Sequence, residues 1–117
     1  MNQIYHNTRC GKSRCALQLL EQSGQPFEVV EYLKTPPTAE NLRELLRLLG
    51  KKPLEIIRQK EPVFQEKFKG KTLSDEAWIQ AIVEHPILLE RPIVVHEQKA
   101  WVARDQGSLE EIEKVLG

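Results

Sequence analysis

Gln3-Ile4-Tyr5-His6-Asn7-Thr8-Arg9-Cys10-Gly11-Lys12-Ser13-Arg14 is a short apolar segment followed by a polar, glycine-containing run. Read together, these residues predict strand, loop and the start of a helix. Cys15, Ala16, Leu19 and Leu20 then recur at helical spacing, which predicts an apolar stripe, and Gly24 supplies a stop just beyond Ser23. Phe27, Val29 and Val30 predict a second strand running toward Tyr32. Strand, helix and strand within about 30 residues form a βαβ unit, with parallel strands joined by a right-handed crossover. The opening residues Met1-Asn2-Gln3-Ile4-Tyr5 lack the charged and apolar regions of a signal peptide and read as the start of the first strand.

Downstream, Thr35-Pro36-Pro37-Thr38 is a rigid turn, and Leu42, Leu45, Leu46 and Leu49 mark a helix from a Thr38 N-cap to a Gly50 stop. From Pro53 to His85 the pattern stays helical. Leu54, Ile56 and Ile57 form one short element, and Ser74-Asp75-Glu76 opens another through Trp78, Ile79 and Ile82. Residues from about 35 to 86 therefore read as a helical insertion. Ile93-Val94-Val95, a three-residue turn at Glu97-Gln98-Lys99, and Ala100-Trp101-Val102-Ala103 predict an antiparallel hairpin. Ser108 with Glu111 is a capping-box pair for a last helix carrying Leu109, Ile112, Val115 and Leu116. The order βαβ, helical insertion, ββα is that of a thioredoxin-like α/β fold with a mixed sheet, here as a single domain over residues 1–117.

The chain has 117 residues, 40% of them hydrophobic, enough for one compact domain with its own core. Lys+Arg and Asp+Glu both total 17, so overall charge gives no reason to expect a nucleic acid or an anionic membrane as partner. Its distribution is uneven. Residues 1–20 carry Arg9, Lys12 and Arg14 and no acidic side chain, which places a local positive field around Cys10. No apolar run approaches the ~20 residues needed to span a bilayer. Two cysteines are too few for a secreted disulfide framework, and a reducing, cytoplasmic setting is expected.

Cys10 is the candidate nucleophile. At a strand-to-helix turn, unpaired backbone N–H groups and the helix dipole converge and favour thiolate over thiol. A thiol of pKa ~8.5 is only about 3% ionised at pH 7, whereas one two units lower is roughly three-quarters ionised. The loop N–H groups of Gly11, Lys12 and Ser13 suit a tetrahedral oxyanion as well. The competing interpretation makes Cys10 a small buried residue. Cys15, on the predicted apolar stripe, is expected to pack in the core, with a resolving role as the alternative. His6 either tunes the loop or is simply exposed. Arg58, Arg91 and Arg104 are candidate oxyanion ligands, because a guanidinium fork matches paired oxygens and keeps its charge; the competing interpretation leaves each on the surface. Gly70-Lys71-Thr72 lacks the upstream glycine and strand of a P-loop, and His6, His85 and His96 lack zinc-ligand spacing, so no metal is expected.

Three separated stretches resemble the glutaredoxin-coupled arsenate reductases of the ArsC family. They are Ile4-Tyr5-His6-Asn7 with Cys10-Gly11-Lys12-Ser13-Arg14, then Glu31-Tyr32-Leu33-Lys34-Thr35-Pro36-Pro37, and His85-Pro86-Ile87-Leu88 with Arg91-Pro92-Ile93-Val94-Val95. The resemblance implies a thioredoxin-like fold, a cis bond before Pro92, attack of Cys10 on arsenate, and anion binding by Arg58, Arg91 and Arg104. It further implies glutathione as co-substrate with no tightly bound cofactor, glutaredoxin as recycling partner, and a monomer. Thr8-Arg9 and Cys15 depart from the family pattern. Two rivals share the fold: a glutathione-dependent thiol-disulfide reductase, and an Spx-like regulator that binds RNA polymerase. Spx-like regulators usually show C-x-x-C, where this chain has Cys10 and Ser13.

Overall fold

The computed structural model describes residues 2–117, so the strand reading at Met1 lies outside the described residues. Along the chain run β1 (Asn2–Tyr5), α1 (Gly11–Ser23), β2 (Phe27–Val30), α2 (Ala39–Leu49), a 3-10 turn at Pro53–Ile56 and α3 (Pro62–Lys67). They are followed by α4 (Asp75–Glu84), a second 3-10 turn at Pro86–Leu88, β3 (Ile93–His96), β4 (Lys99–Val102) and α5 (Gln106–Leu116). The chain divides into two compact units, Met1–Thr35 with Arg91–Gly117, and Pro36–Glu90.

The first unit holds a four-stranded sheet of order β2-β1-β3-β4. Its β1 and β2 are parallel, and β1–β3 and β3–β4 antiparallel, which makes the sheet mixed. The fold is thioredoxin-like. Ile4 and Val94 of the sheet pack with Ala16 and Leu20 of α1 and with Ile112 and Leu116 of α5, all nearly or fully buried. Removing this much apolar surface from water is what holds both helices to the sheet. Tyr5 pairs with Val30 on one side and Ile93 on the other. That register brings the ends of β1 and β2 and the beginning of β3 to one end of the sheet.

The second unit is helical apart from a single antiparallel bridge, Ile57 with Leu89, among the described residues. Thr38 caps α2 by accepting from the Asn41 N–H, Asn41 returns the bond to the Thr38 N–H, and Gly50 ends the helix at φ 67°. Ser74 caps α4 in the same way through the Ala77 N–H. Phe64 stacks on Trp78 with ring centroids 5.9 Å apart.

Three local expectations change. Ser108 does not start the last helix: Asp105 is the N-cap, accepting from the Ser108 N–H at 2.7 Å, because a carboxylate three residues upstream reaches that donor. Glu111 instead accepts from Trp101 Nε1 at 2.6 Å and from Lys99 at 3.2 Å. The hairpin loop has two residues, not three, since His96 pairs with Lys99; Glu97 takes φ 55° to close it. Cys15 is exposed rather than packed in the core. The buried face of α1 carries Ser13, Ala16 and Leu20, and Cys15, two residues past Ser13, lies about 200° around the helix from it.

Candidate active site

Asn7 builds the loop that carries Cys10. Its carbonyl accepts the Cys10 N–H at 3.0 Å, its Oδ1 accepts the Arg9 N–H at 3.0 Å, and its own N–H donates to Ser13 Oγ at 3.3 Å. These bonds fold the loop into a turn that ends at Cys10, the N-cap of α1, whose carbonyl accepts the first helical bond from the Arg14 N–H at 3.1 Å. The Cys10 thiol therefore sits over the first turn of a 13-residue helix, facing its unpaired N–H groups.

Partial burial is the largest influence on this thiol and opposes ionisation. Hydrogen bonds from the Ser13 N–H, the Arg91 guanidinium, the Lys12 N–H and the Ser13 hydroxyl outweigh it together, lowering the Cys10 pKa to about 7. At neutral pH a large fraction is thus thiolate. Ser13 serves twice: its oxygen accepts from Asn7 while its hydroxyl and N–H serve the sulfur, which is why a polar residue tolerates complete burial here.

Arg91 follows from the sheet register, standing two residues before Ile93, the partner of Tyr5. The Arg91–Pro92 bond is cis, as the family resemblance implies. Arg104 donates from Nη1 to the Arg91 carbonyl at 2.7 Å, and the Ala103 N–H donates to the Pro92 carbonyl at 2.8 Å. The Arg91 guanidinium interacts with Tyr32 and Cys10. Its Nε and Nη1 are buried and close no hydrogen bond among the described residues. A cleft of about 740 Å³ opens beside Cys10, lined by Lys12, Arg14, Cys15, Gln18 and Arg104. No acidic side chain lines it, and Lys12 and Arg14 make no ion pair among the described residues.

His6 is 4% exposed, which removes the reading of a simple surface histidine. Burial is the main cause of its lowered pKa; Glu31 and a backbone contact with Ser13 resist, and the Arg14 charge adds to the lowering. At neutral pH it is held neutral, tied to the same Ser13 that serves Cys10. Arg58 belongs to the helical unit. It donates from Nε to Glu61 at 3.1 Å, and its Nη1 lies 3.7 Å from Glu90. The backbone builds this clamp: Arg58 N–H donates to the Leu88 carbonyl at 2.7 Å and Glu90 N–H to the Ile56 carbonyl at 2.8 Å, on either side of the Ile57–Leu89 bridge. Arg58 and Glu90 are then diagonal neighbours on one face of the bridge.

Two contributors escape the sequence reading. Ser13 appears there only as an oxyanion donor, and its service to the sulfur depends on which face of α1 is buried. Tyr32 appears only as the end of a strand; its place among Glu31-Tyr32-Leu33-Lys34 is a sequence signal, but not of contact with Arg91.

Comparisons with known proteins point one way. The description of the ArsC family matches residues 5–112. The Escherichia coli (strain K12) protein YfgD is 49% identical over 111 residues, covering 93% of each chain. An arsenate reductase of Neisseria meningitidis serogroup A is 44% identical over 115 residues, with 97% of this chain and 96% of that one covered. Among solved structures, an arsenate reductase from Vibrio cholerae superposes with a TM-score of 0.85 at 40% identity, over 97% and 96% of the two chains.

Proposed function

The chain belongs to the ArsC family, and from that premise we propose that it is an arsenate reductase with Cys10 as its nucleophile. One observation carries this reading: a thiol lowered to about 7 stands against a guanidinium with two buried N–H groups that close no hydrogen bond among the described residues. A thiolate beside such donors is suited to an electrophile that is itself an oxyanion, since the donors offset the charge that would repel the sulfur.

In this mechanism the Cys10 thiolate attacks arsenic and an arsenate oxygen leaves as water, forming a sulfur–arsenic bond with arsenic still pentavalent. Arg91 and Arg104 offset the charge. The family resemblance adds Arg58, whose guanidinium is then shared with Glu61 and Glu90. Glutathione next attacks the Cys10 sulfur. A sulfur–sulfur bond forms, the sulfur–arsenic pair stays on arsenic, and trivalent arsenite departs. Glutaredoxin removes glutathione from the mixed disulfide and restores the thiolate. Both cysteines are free, in keeping with a reducing cytoplasm as the working compartment.

The test is arsenite formation by the purified protein with arsenate, glutathione and glutaredoxin. Cys10-dependent arsenite is expected; its absence sinks the reading. A second reading, reduction of glutathione mixed disulfides, is favoured by the size of the 740 Å³ cleft, which exceeds what one tetrahedral anion fills. Turnover of a glutathionylated peptide without arsenite formation would select it.

A further inference from the structure

The exposed side of α1 starts next to Cys10. Gly11, Arg14, Cys15 and Gln18 recur at helical spacing, so they share one face, and all four are exposed. Ser13, Ala16 and Leu20 take the buried face instead. The cleft of about 740 Å³ follows the exposed stripe from Cys10 to Gln18, with Lys12 and Arg104 also lining it. At 1.5 Å of rise per residue the stripe from Gly11 to Gln18 is about 10 Å long, close to the reach of an extended tripeptide.

A tetrahedral oxyanion at the Cys10 end leaves most of that length unfilled. The charge along it has one sign: three cations, Lys12, Arg14 and Arg104, and no acidic side chain. Arg104 already donates to the Arg91 carbonyl at 2.7 Å. Lys12 and Arg14 make no ion pair among the described residues. Arg14 leans back over the first turn of the helix, since a Cβ at Gly11 would lie 3.8 Å from its Nη2.

We propose that this stripe is the seat of the second thiol, and that Lys12 and Arg14 select a thiol bearing carboxylates, the class to which the tripeptide glutathione belongs. An ammonium and a guanidinium set along the approach to Cys10 attract and orient such a thiol, bringing its sulfur to Cys10 while its carboxylates rest on α1. A neutral thiol finds no charged partner there, and a cationic one is repelled. Cys15, in the middle of the stripe, is its floor: the small side chain leaves room for the peptide. The inference rests on exchange of Cys10 with a second thiol, a step common to both readings of the function, and not on arsenate.

The experiment is disulfide exchange without arsenate. The Cys10 thiolate attacks one sulfur of a disulfide, the new bond joins Cys10 to that half, and the other half leaves as a thiolate. Rates are measured with oxidised glutathione, which is anionic, and with hydroxyethyl disulfide, which is neutral, the Cys10 and Cys15 peptides being resolved by mass. The ratio of the two rates cancels any change in the reactivity of Cys10 itself. Lys12→Gln and Arg14→Gln should each lower the ratio about two- to fivefold, and the double variant about tenfold, the worth of exposed ion pairs. Cys15→Trp, which fills the stripe and leaves its charge alone, should lower the ratio too, which separates a seat on α1 from a diffuse field. An unchanged ratio in the double variant, with both disulfides slowed alike, overturns the proposal. So does an unchanged ratio in Cys15→Trp, or a wild-type Cys10 that does not exchange with oxidised glutathione. Thermal melting checks folding; should Cys15→Trp melt early, Gln18→Trp blocks the far end of the same stripe and must lower the ratio. A wild type that makes no arsenite defeats the arsenate reading, and the exchange ratio still decides the role of the stripe.

Discussion

In the sheet unit, the Arg91 guanidinium has two buried N–H groups that close no hydrogen bond among the described residues and interacts with the Cys10 thiol; in the helical unit, Arg58 donates to Glu61 and faces Glu90. Both sequence contexts look alike: an arginine beside a short apolar run, with carboxylates a few residues away. Their surroundings differ because of backbone pairing. The Ile57–Leu89 bridge aims Glu90 back at Arg58 within its own unit, and the β1–β3 register gives Arg91 the end of the sheet, with Cys10 and Tyr32 as neighbours. A guanidinium is useful to an oxyanion only in proportion to the charge its own protein leaves uncompensated.

The harshest way to break the comparison is to remove the group that makes Arg91 useful. Cys10→Ser should abolish arsenite formation, because serine hydroxyl does not ionise near pH 7, whereas Cys15→Ser should keep most of it; equal loss from both would point to an internal dithiol cycle. Next in size is Arg91→Ala. Losing charge-assisted bonds should raise the arsenate KM by about 10- to 100-fold, read from the saturation curve. An unchanged curve removes Arg91 from the anion site.

The pH profile sharpens the contrast. A thiol depressed to about 7 makes kcat/KM climb as pH rises through that value and level off above it, since the thiolate is the reacting form. In Arg91→Ala the climb should move to higher pH, because the group that stabilises the thiolate is gone; in Arg58→Ala it should stay in place. Smallest of all is the kinetic effect of the clamp. Arg58→Ala should raise the arsenate KM less than Arg91→Ala does. Glu61→Gln should lower it about two- to threefold by returning charge to Arg58, in line with the worth of a partly exposed pair. A rise on Glu61→Gln would show that Glu61 serves Arg58 as an orienting group rather than a competitor.

Much of the site's scaffold is legible without coordinates. The strand-loop-helix passage around Cys10 follows from an apolar triplet, a polar loop and a helical period, and Thr38, Ser74, Gly24 and Gly50 mark helix boundaries by their own chemistry. The face of α1 is harder to read. Leu19, Cys15 and Ala16 offer a plausible stripe, yet Ser13 takes the buried side because Asn7 and Cys10 give its polar atoms partners, and Cys15 turns outward. Asp105 beats Ser108 as a cap for a similar reason, since reach to a particular N–H decides it.

By itself, the sequence determined that a cysteine would sit at a strand-to-helix turn in a positive field, because local propensity and nearby charge need no distant partner. Only the tertiary structure decided what surrounds that cysteine. Strand pairing joins residues from 25 to about 90 positions apart, so it alone sets Arg91 beside Cys10 and ties Arg58 to Glu90.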